Sequence, residues 1–304
     1  MAELEDASAL LGNGPGLRAF LHEHSYLYFR GLVDAERVLS VRRLILGELA
    51  ALGWLADGSE PKDAMRGPRA TGEGPAPSAD FFEAYARVQS LQAFHELAHD
   101  EALLQVTTDV LGEEVLCHPR KIFRVSPAED PRFVTPPHQD FRLIQGTVDV
   151  LTGWMPLGDC PDELGGLKVL EGSHHRLRTA HVVNATGSVA CPVDDDDARW
   201  ASTSFTTGDL LLFHSLTVHG AKPNLTDRLR LSVDFRYQPR SQPVVDGSLG
   251  AHYCPNIPDY AVLTKGWTST RSVDVPEGLD IVGVSDPFAD EMDYEPSRLT
   301  LATG

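Results

Sequence analysis

Between residues 113 and 238 the chain is cut into short apolar stretches, at 115–125, 147–157, 167–170, 203–206, 210–213 and 228–238, separated by clusters of Gly, Pro and Asp. Several alternate apolar with polar residues, the period-two pattern of a strand with two unlike faces. Many short strands joined by turns predict a sandwich or jelly roll rather than a parallel sheet. The first hundred residues read differently. A short helix is expected at 17–23 and an aromatic strand at 26–33. Asp34 is placed to cap a helix over 35–54, where Val38, Val41, Leu44, Ile45, Leu49 and Leu52 recur at helical spacing. Residues 58–78, rich in Gly, Pro and charge, read as a mobile, lid-like loop. One or two more helices follow over 81–111, closed by Gly112. From Pro239 onward the pattern is irregular and proline-rich.

Composition narrows the class. The 304 residues are 42% hydrophobic and 23% charged, enough for a sizeable core. With 26 basic against 44 acidic residues the formal charge is −18, which argues against a nucleic-acid partner or an anionic membrane surface. The acidic run at 194–197 lacks the Gly and Glu of a calcium loop and reads as a solvated turn. Four cysteines without CxxC spacing suit a reducing cytoplasm. The acidic N-terminus has no apolar stretch of signal-peptide type, and no run approaches the ~20 apolar residues of a membrane span.

The candidate chemistry centres on His138-Gln139-Asp140. In an extended segment, residues two apart point to the same side, so His138 and Asp140 can share one ion. The best third ligand is His219, at the end of a stretch that begins with Gly208-Asp209. Two imidazoles and a carboxylate with open positions opposite form the ligand set of non-haem Fe(II) oxygenases. Arg230 stands eleven residues after His219 and shares a strand face with Ser232. A guanidinium fork beside a hydroxyl suits the far end of a dicarboxylate. Arg228 lies on the same face and is the rival clamp. A zinc hydrolase built on the same three ligands, or a non-catalytic jelly-roll binding protein, are the other readings; the first leaves Arg230 and Ser232 without a task, and the second does not call for a complete ligand set.

Together, the HxD, the distal His, the Arg eleven residues on and the Arg-x-Ser resemble the Fe(II)/2-oxoglutarate dioxygenases. With the Gly165-Gly166 segment that runs into Gly172-Ser173-His174, and Gly208-Asp209, the chain is similar to the phytanoyl-CoA dioxygenase family from about residue 16 to about residue 238. The resemblance implies a mainly β fold with flanking helices (α+β), a cupin-like double-stranded β-helix with a helical layer outside one sheet. It implies one domain over 1–304: a mainly helical layer at 16–112, a jelly-roll core at 113–238 and an irregular extension at 239–304, lying over the barrel mouth or a neighbouring subunit of a homo-oligomer. The implied enzyme is a cytoplasmic hydroxylase using Fe(II), 2-oxoglutarate and O2, with ascorbate as an in vitro activator, and releasing succinate and CO2. Desaturation or ring formation on a natural-product intermediate is the alternative outcome. Halogenases of this kind carry Gly or Ala in place of the aspartate, so Asp140 argues against halogenation. By position, Ile122, Gln139, Trp154 and Ala221 are implied to line the cosubstrate pocket around Arg230, with Arg87 a further basic candidate. His118, His174, His175 and His214 read as structural or rim residues.

The substrate is a small molecule of unspecified identity. Strand alternation sets Arg120 and Arg124 on the face of Ile122, while Phe141 and Arg142 follow the HxD at the rim. Buried guanidinium groups need anions, supplied either by the chain's own acids or by an anionic group on the substrate.

Overall fold

The computed structural model describes residues 1–71, 77–127, 134–182, 189–289, 292 and 294–299. Strand β1 (Ala2–Glu3) precedes helix α1 (Gly14–His24), strand β2 (Tyr26–Phe29) and the long helix α2 (Ala35–Ala51). Three helices follow: α3 (Ala79–Gln89), α4 (Gln92–Leu97) and α5 (Glu101–Leu111). The β region comprises β3 (Val115–Cys117), β4 (Ile122–Ser126), the one-turn helix α6 (Phe141–Ile144), β5 (Leu151–Pro156), β6 (Leu167–Leu170), β7 (His181–Val182), β8 (Val189–Ala190), β9 (Trp200–Ser202), β10 (Leu210–His214), β11 (His219–Ala221) and β12 (Arg230–Pro239). The C-terminal stretch adds β13 (Val244–Val245), α7 (Tyr260–Leu263) and β14 (Ile281–Val282).

Two sheets form the body. The larger runs β2-β10-β5-β12-β3, with β4 also paired to β12, and the smaller runs β1-β9-β6-β11. Alternation along the strands of the larger sheet decides what each face meets. Leu27, Phe29, Leu210, Leu212, Met155, Val233, Phe235 and Tyr237 turn outward into one apolar cluster with Val38, Ile45, Leu49 and Val88 of the helices. Tyr26, Tyr28, Trp154, Leu211 and Phe213 turn inward and pack with Leu167, Val169 and Ala201 of the smaller sheet. The fold is therefore a jelly roll, as the strand pattern predicts, with helices on the outside of one sheet, as the family resemblance implies.

The inner face of β12 is the exception to apolar packing. Its inward positions are Arg230, Ser232, Asp234 and Arg236, all buried. At 3.3–3.4 Å per residue, the first and last of these lie about 20 Å apart along the strand. A buried polar row of that length inside a barrel is where chemistry can be placed.

Local signals act as read at several points. The Asp34 side chain accepts the Arg37 N–H at 2.9 Å, capping α2, and Gly112 closes α5 at φ +76°, the left-handed region that glycine enters without strain. Elsewhere the expectation fails. Residues 203–206 do not form a strand; the strand is β9, just before them, and Phe205 contributes only a bridge to Cys160. The 81–111 region holds three helices. The described part of the 58–78 loop is pinned to the body: Arg66 N–H donates to Asp227 O at 2.9 Å, Leu229 N–H to Ala64 O at 2.8 Å, and Ala64 is fully buried. Residues 72–76 of that loop lie outside the described residues. The C-terminal extension packs on its own chain, with Lys121 Nζ donating to Ser272 O, Tyr260 OH to Pro119 O and Arg142 to the carbonyls of Pro287 and Ala289.

Candidate active site

His138, Asp140 and His219 converge, all buried, with donor atoms within 4.8 Å of one another. The route differs from simple strand alternation. His138 and His219 face each other across a two-bond antiparallel bridge, with N···O of 2.9 and 3.0 Å. Asp140 has helical backbone angles, φ −59° and ψ −34°, at the entry to α6. The turn into that helix swings its carboxylate to the imidazoles: Oδ1 lies 3.5 Å from His138 Nε2 and 4.0 Å from His219 Nε2.

Each donor is oriented from behind. His138 Nδ1 is 2.9 Å from Pro136 O and His219 Nδ1 is 3.0 Å from Thr217 O. A proton on Nδ1 in each ring leaves the Nε2 lone pairs facing Asp140, the tautomer a metal requires. Thr152 Oγ1 donates to Asp140 Oδ2 at 2.6 Å, and Arg236 Nη2 donates to Oδ1 at 3.2 Å. Burial opposes ionisation of Asp140, but the Arg236 guanidinium and the two imidazoles outweigh it and hold its carboxyl well below the usual range. Burial and the neighbouring His138 push His219 down to about 3, so it stays neutral. Two imidazoles and an ionised carboxylate fit a divalent transition-metal ion.

Arg230, Trp154 and Ala221 line one cavity together with His138, His219, Leu167 and Phe213. Arg230 Nη1 donates to Gly165 O at 2.7 Å. Ser232 sits beside it on the inner face, fully buried, its Oγ without a hydrogen-bond partner among the described residues. Ile122 is buried opposite Asp234 in the β4/β12 register rather than on the cavity wall. Arg228 lies outside the cavity, its backbone bridged to Met65.

Four assignments are corrected by the geometry. Gln139 does not reach the cavity: its amide donates to Arg176 O and Leu216 O and accepts from Arg178 N–H, because the residue between the two ligands faces the opposite way. Phe141 packs with Val148 and Leu216, and Arg142 is fully buried on the carbonyls of Arg178, Pro287 and Ala289, so both serve the packing of α6 rather than the rim. Arg87 stands on the helix surface, 3.6 Å from Glu48. Arg124 is not among these: it lines the cavity, and its guanidinium has an internal acid, Asp234, at 2.9 Å. His118 and His214 are buried and hydrogen-bonded to Gln238 and Ser297, as structural histidines are.

Sequence reasoning missed Thr152, Arg236 and His252. Arg236 was within reach, since Arg230, Ser232, Asp234 and Arg236 repeat at period two on one face. His252 comes from the irregular extension, where no periodicity points inward; its Nδ1 is 2.6 Å from Tyr85 OH.

The chain matches the phytanoyl-CoA dioxygenase (PhyH) family over residues 22–232. It is 30% identical over 258 residues to a 1-deoxypentalenic acid 11-beta-hydroxylase of Streptomyces exfoliatus, an alignment covering 79% of this chain and 87% of that protein. A Streptomyces arenae enzyme of the same name is 28% identical, covering 79% and 86%. Among solved structures, the epimerase SnoN in complex with Fe3+, alpha ketoglutarate and nogalamycin RO superposes with a TM-score of 0.55 at 18% identity, covering 94% of this chain and 97% of that one, a likeness of fold. The chain belongs to the phytanoyl-CoA dioxygenase family and is an Fe(II)/2-oxoglutarate-dependent dioxygenase.

Proposed function

We propose that the protein hydroxylates a small carboxylic acid while 2-oxoglutarate is converted to succinate and CO2. The observation that carries this reading is a knot of basic side chains around Arg236. Arg120 stands beside it, its Nε buried without a hydrogen-bond partner and its guanidinium without an acid among the described residues. Burial first and the Arg236 charge second push Arg120 below its ordinary value. Burial and the charges of Arg120, Arg124 and Arg236 hold His252 neutral. Arg236 has Asp140 and Arg124 has Asp234, so the guanidinium that calls for an anion is that of Arg120. The Streptomyces relatives, named as hydroxylases of an acid, support a carboxylate in that place.

In this reading His138, Asp140 and His219 hold Fe(II), which, when bound, supplies the coupling of O2 reduction to 2-oxoglutarate decarboxylation. Arg230, helped by Ser232, grips the distal carboxylate of 2-oxoglutarate, with Trp154 and Ala221 flanking it. Arg120 and Arg236 receive the substrate's carboxylate at the other end of the inner row. The two anions are thus kept apart by the length of β12, and Arg236 touches both the substrate end and Asp140. Cys117, Cys160, Cys191 and Cys254 are all free thiols, which supports a reducing cytoplasm, and among the described residues no helix is long and apolar enough to cross a membrane.

The test starts with anaerobic Fe(II) and 2-oxoglutarate, which should give a weak visible charge-transfer band. A panel of carboxylic acids and their methyl esters then reports substrate-stimulated succinate formation, with ascorbate as activator. Acids should stimulate and esters should not. Arg120→Gln should lose product while keeping uncoupled 2-oxoglutarate decarboxylation. Equal loss of both activities in Arg120→Gln, or equal stimulation by esters, would overturn the carboxylate assignment. Product analysis separates hydroxylation from desaturation or ring closure.

A further inference from the structure

A second histidine cluster lies away from the iron triad. His22, near the end of α1, meets His174 and His175 in the turn after β6, and their ring nitrogens lie within 4.8 Å of one another. The ring centroids of His174 and His175 are 4.2 Å apart, and that of His22 is 5.5 Å from His175 and 6.3 Å from His174. His174 is fully buried, yet neither of its ring nitrogens has a hydrogen-bond partner among the described residues; the same holds for His22 Nδ1. Buried imidazole nitrogens are normally satisfied. Nothing in the dioxygenase site uses these three side chains.

We propose that His22, His174 and His175 bind a divalent d-block ion, with Zn2+ the best fit. Neutral imidazoles are its preferred nitrogen ligands, and a three-histidine set leaves a fourth position for water. Burial and the surrounding imidazoles push His174 down to about 3, so it presents lone pairs rather than charge. Zn–N bonds of about 2.0–2.1 Å around a tetrahedral ion set the nitrogens about 3.4 Å apart. Closing the cluster therefore takes side-chain shifts of about 1.4 Å or less. The backbone already holds the two halves together: Gly172 N–H donates to Ser25 Oγ at 3.2 Å and toward His24 O at 3.4 Å. His175 is exposed and His22 half-buried, which gives an ion a route in from solvent.

The ion would tie α1 to the turn that supports the distal iron ligand. Ser173 Oγ in that turn accepts the N–H of Val218, the residue before His219, at 2.8 Å. The site is thus a brace behind β11, separate from the reacting atoms.

Metal counting tests this on the full, untagged chain. Protein loaded anaerobically with Fe(II) and 2-oxoglutarate is given one equivalent of Zn2+ per chain and passed through a desalting column, and both metals are measured per chain in wild type, His22→Ala, His175→Ala and His138→Ala. Wild type should hold two metals. His22→Ala and His175→Ala should each hold one, with zinc affinity down more than about 100-fold and the iron and its charge-transfer band retained. His138→Ala should lose the iron and keep the zinc. His22 and His175 are not core residues, so these variants should fold, which melting curves verify. A single metal in wild type, or two in both outer-histidine variants, would overturn the proposal and leave water as the partner of His174. Loss of iron binding in wild type with zinc still held would instead count against the iron triad alone.

Discussion

Acid should unfold this protein early, and three histidines around α4 and β3 set a lower bound on the effect, to which His174, His219 and His252 add in the same direction. Burial, with the Lys121 charge behind it, pushes His95 down to about 3 and His99 to about 4; burial pushes His118 to about 3 against the pull of its hydrogen bond with Gln238. In the unfolded chain each takes its proton near pH 6.5. Between pH 6.5 and those depressed values the unfolded state binds more protons, so their contribution to stability is fully present above 6.5 and drains away as pH falls. At about 1.36 kcal/mol per unit, pH 5 costs about 2 kcal/mol for each fully buried ring. His95 and His118 together give about 4 kcal/mol, and His99, partly exposed and so partly screened, brings the sum to about 5 kcal/mol. Depressed carboxylates do not enter this window: Asp149, whose burial is outweighed by its hydrogen bonds and which sits at about 2, loses its contribution only below about pH 4. Against a typical total of about 5–15 kcal/mol, the loss is large. Urea unfolding of the metal-free protein at pH 8 and pH 5, at one ionic strength, measures it. A difference under about 1 kcal/mol would refute the reasoning. His118→Asn, which keeps a donor for Gln238, should remove about 2 kcal/mol of the pH dependence.

Three further outcomes are expected. Arg230→Ala should raise the KM for 2-oxoglutarate by a hundred- to several-thousand-fold, since a buried carboxylate that loses its bidentate partner costs about 3–5 kcal/mol, whereas Arg228→Ala should do far less; the reverse ranking in steady-state kinetics would identify the other arginine as the clamp. Thr152→Val removes the hydroxyl that orients Asp140 and should weaken Fe(II) binding about 10–100-fold in an anaerobic titration, with unchanged affinity counting against that role. Asp209→Ala strands the N–H groups of Gly31 and Thr206 and the hydroxyls of Thr206 and Tyr28, and should lower stability by about 3 kcal/mol or more in urea unfolding; a loss under about 1 kcal/mol would show that water replaces the carboxylate.

The chemistry of this protein was legible in the sequence because it depends on residue type and spacing. An HxD, a distal histidine and an arginine eleven residues later are rare as a set, and strand alternation alone puts Arg230 and Ser232 on one face. Periodicity likewise marked β6, β10 and most of β12, together with Val38, Val41, Ile45 and Leu49 of α2, since burial of one face leaves its trace along the chain; Leu44, at the edge of that stripe, is exposed, and Leu46 is buried in its stead.

Side-chain direction next to the motif was not legible. Gln139, Phe141 and Arg142 adjoin His138 and Asp140 in sequence, but at Asp140 the chain leaves extended geometry for a helical turn, and a period of 3.6 sends consecutive side chains to different neighbours. The pairing of Arg124 depends on register: it stands across from Ser232 and reaches Asp234 diagonally, a contact that a one-residue slip would abolish. The meetings of Arg236 with Asp140, 96 residues apart, and of His22 with His174 and His175 were decided by sheet closure and by the packing of α1 against a distant turn. Local sequence records which face of an element is buried; only the folded chain decides which buried faces meet.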